Sequence, residues 1–136
     1  MKTFRLEILT PFGEYMTADV EFLRVQSSQY RLGILPDHAP LVSSLIVSEI
    51  AFTIGGNENV FASGGGIIQV SKEKVVLLLD SIERASEIDV NRAQAAKQRA
   101  EDRLKDNISE EDKKRAQAAL DRANNRIAIY ERNRRQ

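Results

Sequence analysis

The chain has 136 residues, 42% hydrophobic and 29% charged, a folded composition sized for one domain or one domain with an appendage. Twenty basic and twenty acidic side chains cancel, which argues against a chain-wide basic footprint for nucleic acid or acidic lipid. With no cysteine, one histidine and no apolar run longer than Val75 to Leu79, a disulfide framework, a multi-histidine metal site and a membrane span are excluded, and the composition reads as cytosolic and non-redox.

Alternation of Phe4, Leu6 and Ile8 with charged neighbours predicts a strand with one buried face, ending at Thr10-Pro11. Val20, Phe22 and Val25 predict a second. Tyr30 to Leu35 and Leu41 to Val47 flank the turn-rich Pro36-Asp37-His38-Ala39-Pro40. Ile50, Phe52 and Ile54 alternate into Gly55-Gly56-Asn57 and Val60-Phe61-Ala62 leads out, the pattern of a hairpin. Ile67 to Val70 and Val75 to Leu79 form another around Ser71-Lys72-Glu73-Lys74. Short strands with frequent turns favour a β-sandwich or barrel.

Every glycine and proline lies between Pro11 and Gly66, and beyond residue 87 the period changes to 3.6. Ala93, Ala96, Ala100 and Leu104 share one helical face, and Ala116, Leu120, Ala123, Ile127 and Tyr130 share another. Ser86 or Asp89 would cap the first helix and Asp106-Asn107 would stop it. Ser109 followed by three acids starts the second. The predicted architecture is β plus α in separate domains: an antiparallel β-sandwich over residues 1–87, then an antiparallel two-helix hairpin over residues 88–136. The neutral total divides between them, −4 in the first and +4 in the second.

No motif for catalysis emerges. His38 lacks a nucleophile arrangement such as G-x-S-x-G, and its flanking prolines suggest a rigid turn. Ser63-Gly64-Gly65-Gly66 has no following Lys-Ser/Thr and no helix, so a bulge or close strand crossing fits better than a phosphate cradle.

The hairpin arginines are more informative. At about 100° per residue from Ala93, Arg92, Arg99 and Arg103 fall in one stripe beside the seam. Arg115, Arg122 and Arg126 take the same offset from Ala116. In an antiparallel pair both stripes meet on one edge, whose acids (Asp106, Glu111) cluster near the turn. The edge is either a solvated basic flank or a binding site for a multiply charged anion. An Ala methyl contributes about 0.8 kcal/mol on burial against about 1.5–3 kcal/mol for Leu, so the seam permits close approach while holding the hairpin shut only weakly.

Leu6-x-Ile8-Leu9-Thr10-Pro11-x-Gly13, Gly33-Ile34-Leu35-Pro36-Asp37-His38-Ala39-Pro40, Ser63-Gly64-Gly65 and Ile88-Asp89-Val90-Asn91-Arg92-Ala93, with the Ala/Arg-rich hairpin behind them, resemble the epsilon subunit of the F-type ATP synthase. The likeness covers essentially the whole chain. It implies a sandwich of about ten strands and a non-catalytic central-stalk subunit of a proton-translocating synthase. Such a subunit joins gamma to the membrane rotor ring, peripherally, at the cytoplasmic face of the bacterial cell membrane. It implies no membrane insertion, no nucleic acid, no metal and no catalytic residue.

The resemblance also implies that the hairpin opens, extends towards the catalytic alpha/beta head and inhibits ATP hydrolysis. Helices of about 18 and 24 residues, roughly 27 and 36 Å long, suit that reach. Lys113, Lys114, Arg115, Arg122 and Arg126, with Arg132, Arg134 and Arg135, would suit an acidic surface there.

Ile88-Asp89-x-x-Arg92-Ala93 is similar to the ATP-recognition motif of bacillus-type members of the family. Carried over by position, Glu83, Ile88, Asp89, Arg92, Ala93, Arg99, Arg122 and Arg126 would meet ATP, a regulatory ligand that this chain does not hydrolyse. The arginines would meet phosphates, Ile88 and Ala93 would cover adenine, and the acids would accept hydrogen bonds. Two other readings are a stalk subunit whose hairpin only braces, and a nucleic-acid-binding helical module. Against the latter, Tyr130 is the only aromatic of the helical half, so stacking platforms are lacking.

Overall fold

Period-two patterning organises residues up to Arg84 into ten strands, and the computed structural model describes residues 2–135 in two units that meet between Arg84 and Ala85. The strands are β1 (Phe4–Thr10), β2 (Gly13–Val20), β3 (Phe22–Gln26), β4 (Arg31–Ile34), β5 (Leu41–Leu45), β6 (Ser48–Ile54), β7 (Asn57–Ser63), β8 (Gly66–Val70), β9 (Lys74–Leu79) and β10 (Ile82–Arg84). One sheet has the order β2-β1-β9-β8-β5, the other β10-β7-β6-β3-β4. Neighbours are antiparallel except β1 and β9, which run parallel with Leu6 level with Val75 and Ile8 level with Leu77.

The inward residues of both sheets form one core, with Leu6, Ile8, Leu23, Ile50, Ile68 and Leu77 fully buried. Phe61 on β7 is its hub. It stacks on Phe52 at 5.1 Å and meets Tyr15 of the facing sheet edge-on at 6.2 Å. The guanidinium of Arg84 lies 5.0 Å from its ring centroid, a cation–π contact that ties β10 to β7.

Two strands escape the reading of the sequence. Gly13–Val20 lies at a sheet edge and buries only Val20 fully, so its alternation is faint. Ile82–Arg84 is too short to show a period. The turns are better announced: Gly55 and Gly56, with φ of 56° and 80°, make the type I′ connection between β6 and β7.

The glycine run after β7 is a close crossing of strands. Gly64 N–H donates to Ser81 O at 2.9 Å, Asp80 N–H donates to Gly65 O at 2.9 Å, and Gly65 N–H donates to Ser63 Oγ at 3.0 Å. A Cβ on Gly66 would strike the Leu78 carbonyl of the adjacent strand β9.

The second unit opens with a 3-10 turn, Ala85–Glu87, followed by α1 (Val90–Lys105) and α2 (Glu110–Arg134). Of the two possible caps it is Asp89 that serves α1, accepting from Arg92 N–H at 3.1 Å. Ser109 caps α2 by accepting from Asp112 N–H at 3.1 Å. Ala93, Ala100, Ala116 and Ala123 are buried, while Ala96, Leu104, Leu120, Ile127 and Tyr130 are half-buried. One buried residue lies off the expected seam: Ile129 faces the other side of α2, the helix against which the 3-10 turn packs.

Gly66→Ala is expected to cost about 4 kcal/mol or more, the range of a backbone clash in a packed sheet. Gly13→Ala, where a Cβ meets open space at a φ of +114°, should cost only about 1–3 kcal/mol of backbone strain. Urea midpoints of the two variants give the comparison.

Candidate functional site

The edge of the hairpin divides into a compensated and an uncompensated half. Near the turn, Arg103 on α1 reaches Asp112 on α2 at 4.0 Å, and Arg115 pairs with Glu111 at 3.5 Å and Asp112 at 3.8 Å. Asp112 therefore links both helices and both stripes. Beyond Asp106 and Glu111, the acids expected on this edge, the structure adds Asp112. Its signal was its place three residues after the Ser109 cap, where the first turn favours a carboxylate.

Towards the open end the pattern changes. Among the described residues Arg92, Arg99 and Arg122 form no ion pair; Arg126 does have a polar or charged partner. Arg92 and Arg99 are exposed, Arg122 and Arg126 half-buried. With Arg103 beside Asp112, an antiparallel register brings Arg92 level with the stretch from Arg122 to Arg126. Like charges at i,i+4, here Arg122 and Arg126, cost a few tenths of a kcal/mol on an exposed helix. An anion would turn that repulsion into charge-assisted hydrogen bonds.

The other residues singled out from the motif have structural work in the fold. Ile88 is buried, and its N–H donates to Ala85 O at 3.4 Å. Asp89 caps α1, and Ala93 sits in the seam with its N–H bonded to Asp89 O at 3.0 Å. Glu83 stands half-buried on β10 and is engaged with a partner. Lys113, Lys114 and Arg115 are exposed on the first turns of α2, where Lys113 pairs with Glu110 at 3.5 Å. Arg132 and Arg135 are exposed near the end of α2, as is Arg134, which lies 3.8 Å from Glu131. The described residues hold no group of three or more His, Cys, Asp or Glu side chains able to take a metal ion.

In the sandwich, Leu35-Pro36-Asp37-His38 is a turn closed by His38 N–H donating to Leu35 O at 3.2 Å. Asp37 takes a φ of 67°, as the third residue of a type II turn after proline requires. His38 Nδ1 lies 2.7 Å from Ala39 O, so it carries a proton and donates there, bracing the turn. The hydrogen bond from Lys2 and its charge hold the Asp37 carboxyl below its ordinary pKa. For Arg24, burial opposes the charge, but Glu49 at 2.9 Å and Glu58 at 3.4 Å outweigh it and raise the pKa.

The sheet containing β9 carries an apolar strip on its outward face. Leu9, Leu78 and Ile67 are level across β1, β9 and β8. Val76 and, on β5, Val42 flank them, and Val42 is 72% exposed. A contiguous outward strip of this kind marks a docking surface more often than isolated exposed residues do.

Residues 3–85 match the family described as ATP synthase, Delta/Epsilon chain, beta-sandwich domain, and residues 86–131 that described as ATP synthase, Delta/Epsilon chain, long alpha-helix domain. A protein of Desulforamulus reducens named ATP synthase epsilon chain is 45% identical over 103 residues, 76% of this chain and 78% of that one. The protein of the same name from Bacillus thuringiensis is 43% identical over 106 residues, 78% of this chain and 80% of its own. Among solved structures, a chain of the Euglena gracilis mitochondrial ATP synthase, an assembly of OSCP, F1 and c-ring, superposes with a TM-score of 0.81. It covers 93% of this chain and 80% of that one at 17% identity, a likeness of fold.

Because Asp89 is a helix cap, Asp89→Ala is expected to destabilise the hairpin by about 1 kcal/mol with no nucleotide present. Asp89→Asn should leave the stability within a few tenths of a kcal/mol of the original, since Asn caps as well as Asp. Thermal melting of the helical circular dichroism signal distinguishes the two.

Proposed function

The chain belongs to the ATP synthase delta/epsilon chain family, and from that membership we propose that it is a rotor-stalk epsilon subunit whose C-terminal hairpin senses ATP. Its relatives are named ATP synthase epsilon chain, and on this reading the chain is a non-catalytic subunit of such a synthase. On this reading the sandwich couples gamma to the membrane ring, with the outward strip of Leu9, Leu78, Ile67 and Val42 as the apolar surface suited to gamma. The subunit sits peripherally at the cytoplasmic face of the cell membrane. No helix among the described residues is long and apolar enough to cross a membrane.

One observation carries the sensing claim: in a hairpin closed by alanines, Arg92, Arg99 and Arg122 form no ion pair among the described residues, while the arginines nearer the turn are paired with acids. Closing the hairpin brings Arg92 and Arg99 towards Arg122 and Arg126, and triphosphate oxygens offset the resulting repulsion. Ile88 and Ala93, both buried, would shape an apolar floor for the base, and Asp89 would hold the first turn of α1 in place. A ligand bound only by the closed form stabilises it by RT ln(1 + [L]/Kd), about 2.7 kcal/mol at a hundredfold excess. That is comparable to what a few buried methyls contribute, about 0.8 kcal/mol each. With ATP scarce, the opened helices would extend towards the catalytic head, where their basic residues favour an acidic surface and hold back hydrolysis.

Titration of the isolated chain with ATP, read by a distance probe between α1 and α2, is expected to saturate at or below millimolar nucleotide. Arg126→Ala should weaken it about tenfold, the loss of one hydrogen bond between charged groups. Absence of saturable binding removes the sensing claim and leaves family membership intact. In the assembled complex, truncation from Ile88 onward is expected to raise ATP hydrolysis at low ATP; unchanged hydrolysis would instead fit a hairpin that only braces the stalk.

A further inference from the structure

The two helices of the hairpin carry near-copies of one thirteen-residue segment. Residues 92–104 read Arg-Ala-Gln-Ala-Ala-Lys-Gln-Arg-Ala-Glu-Asp-Arg-Leu, and residues 115–127 read Arg-Ala-Gln-Ala-Ala-Leu-Asp-Arg-Ala-Asn-Asn-Arg-Ile. Eight of the thirteen positions are identical at a constant offset of 23. The repeat is also geometric. The four buried alanines are two equivalent pairs, Ala93 with Ala116 and Ala100 with Ala123. With Arg103 beside Asp112, the antiparallel register sets Ala100 level with Ala116 and Ala93 level with Ala123. A near-twofold axis normal to the helix pair therefore passes between them, close to Ala96 and Ala119.

A surface that pairs with its own near-copy is close to self-complementary. We propose that α2, once released from α1, pairs antiparallel with the α2 of a second copy of this chain, so that the opened subunit forms a dimer through its helices.

The choice of α2 over α1 follows from the positions at which the repeats differ. Next to the axis α1 has Lys97 where α2 has Leu120, and at the end of the repeat Leu104 answers Ile127. In a pair of α1 helices the two Lys97 ammonium groups would face each other near the axis, which like charges disfavour. In a pair of α2 helices that place is filled by two Leu120 side chains, while all the small residues that permit close approach are retained. The homotypic α2 seam is thus more apolar than the α1–α2 seam it replaces. What keeps the ordinary chain closed is the short link from Asp106 to Ser109, which gives α1 an effective concentration in the millimolar range at its partner. Pairing between copies takes over when α1 is displaced. This inference does not depend on ATP binding.

The test blocks α1 without touching α2. In the full-length chain, Ala100→Asp puts a charge into the α1 seam, and the variant is expected to sediment as a dimer at concentrations where the parent is a monomer. Adding Leu120→Lys, which gives α2 the residue α1 carries, should return it to a monomer. A monomeric Ala100→Asp variant with its helical signal intact overturns the proposal.

Geometry is checked separately in the otherwise cysteine-free chain carrying Ala100→Asp, in which α2 is released. A thiol at Ala119→Cys lies near the axis of an α2 pair, within the roughly 7 Å between Cα atoms that a disulfide allows. Oxidation should crosslink Ala119→Cys on the order of tenfold faster than Asn124→Cys on the exposed face. Equal rates, or crosslinking through Ala96→Cys as fast as through Ala119→Cys, would overturn the assignment to α2.

Discussion

The alanine seam is the constraint on which the helical half depends. Ala93, Ala100, Ala116 and Ala123 are small enough for the helix backbones to come close, and for the same reason they remove little apolar surface from water. The arginine edge inherits its geometry from that closeness. With leucines at these positions the two stripes would stand further apart and the hairpin would be held shut by its core. Then no charge on the edge could decide whether it closed.

The contrast with the sandwich is one of scale. There Phe52 and Phe61 stack, Tyr15 reaches Phe61 from the facing sheet, and fifteen buried side chains make one cluster. Aromatic rings of this kind bury about 150–250 Å² each. Stability is therefore concentrated in the strands, and the helices occupy the low end of the range over which local opening occurs. A rigid unit with an apolar outer strip and a weakly closed unit with a charged edge suit attachment and response respectively.

The sequence made the main lines of this arrangement legible because its periods are clean. Phe4-x-Leu6-x-Ile8 could only bury one face, Gly55-Gly56 could only be a tight turn, and the spacing of Ala93, Ala100, Ala116 and Ala123 fixed the seam. What it hid had physical reasons. β2 is an edge strand with faint alternation, and β10 is only three residues long. Ile129 is buried on a side of α2 away from the seam that the alanine spacing marks. Of the candidate site, the arginine stripes were readable from angular position alone. The capping by Asp89 was readable only as one of two options, and the bridging role of Asp112 depends on a cross-helix distance that no single helix encodes.

The parallel pairing of β1 with β9 orders events at the ribosome. Arg5 and Lys74 are level in that ladder although 69 residues separate them, so the first strand made waits for the last of its sheet. Long-range pairings of this sort slow folding, because loop closure precedes any reward from contacts. The helices are synthesised after β9, and each can form from local contacts alone. Domains generally fold as units with the N-terminal one first during synthesis. The nascent chain thus completes its most demanding closure before the arginine-rich segment emerges to compete for it.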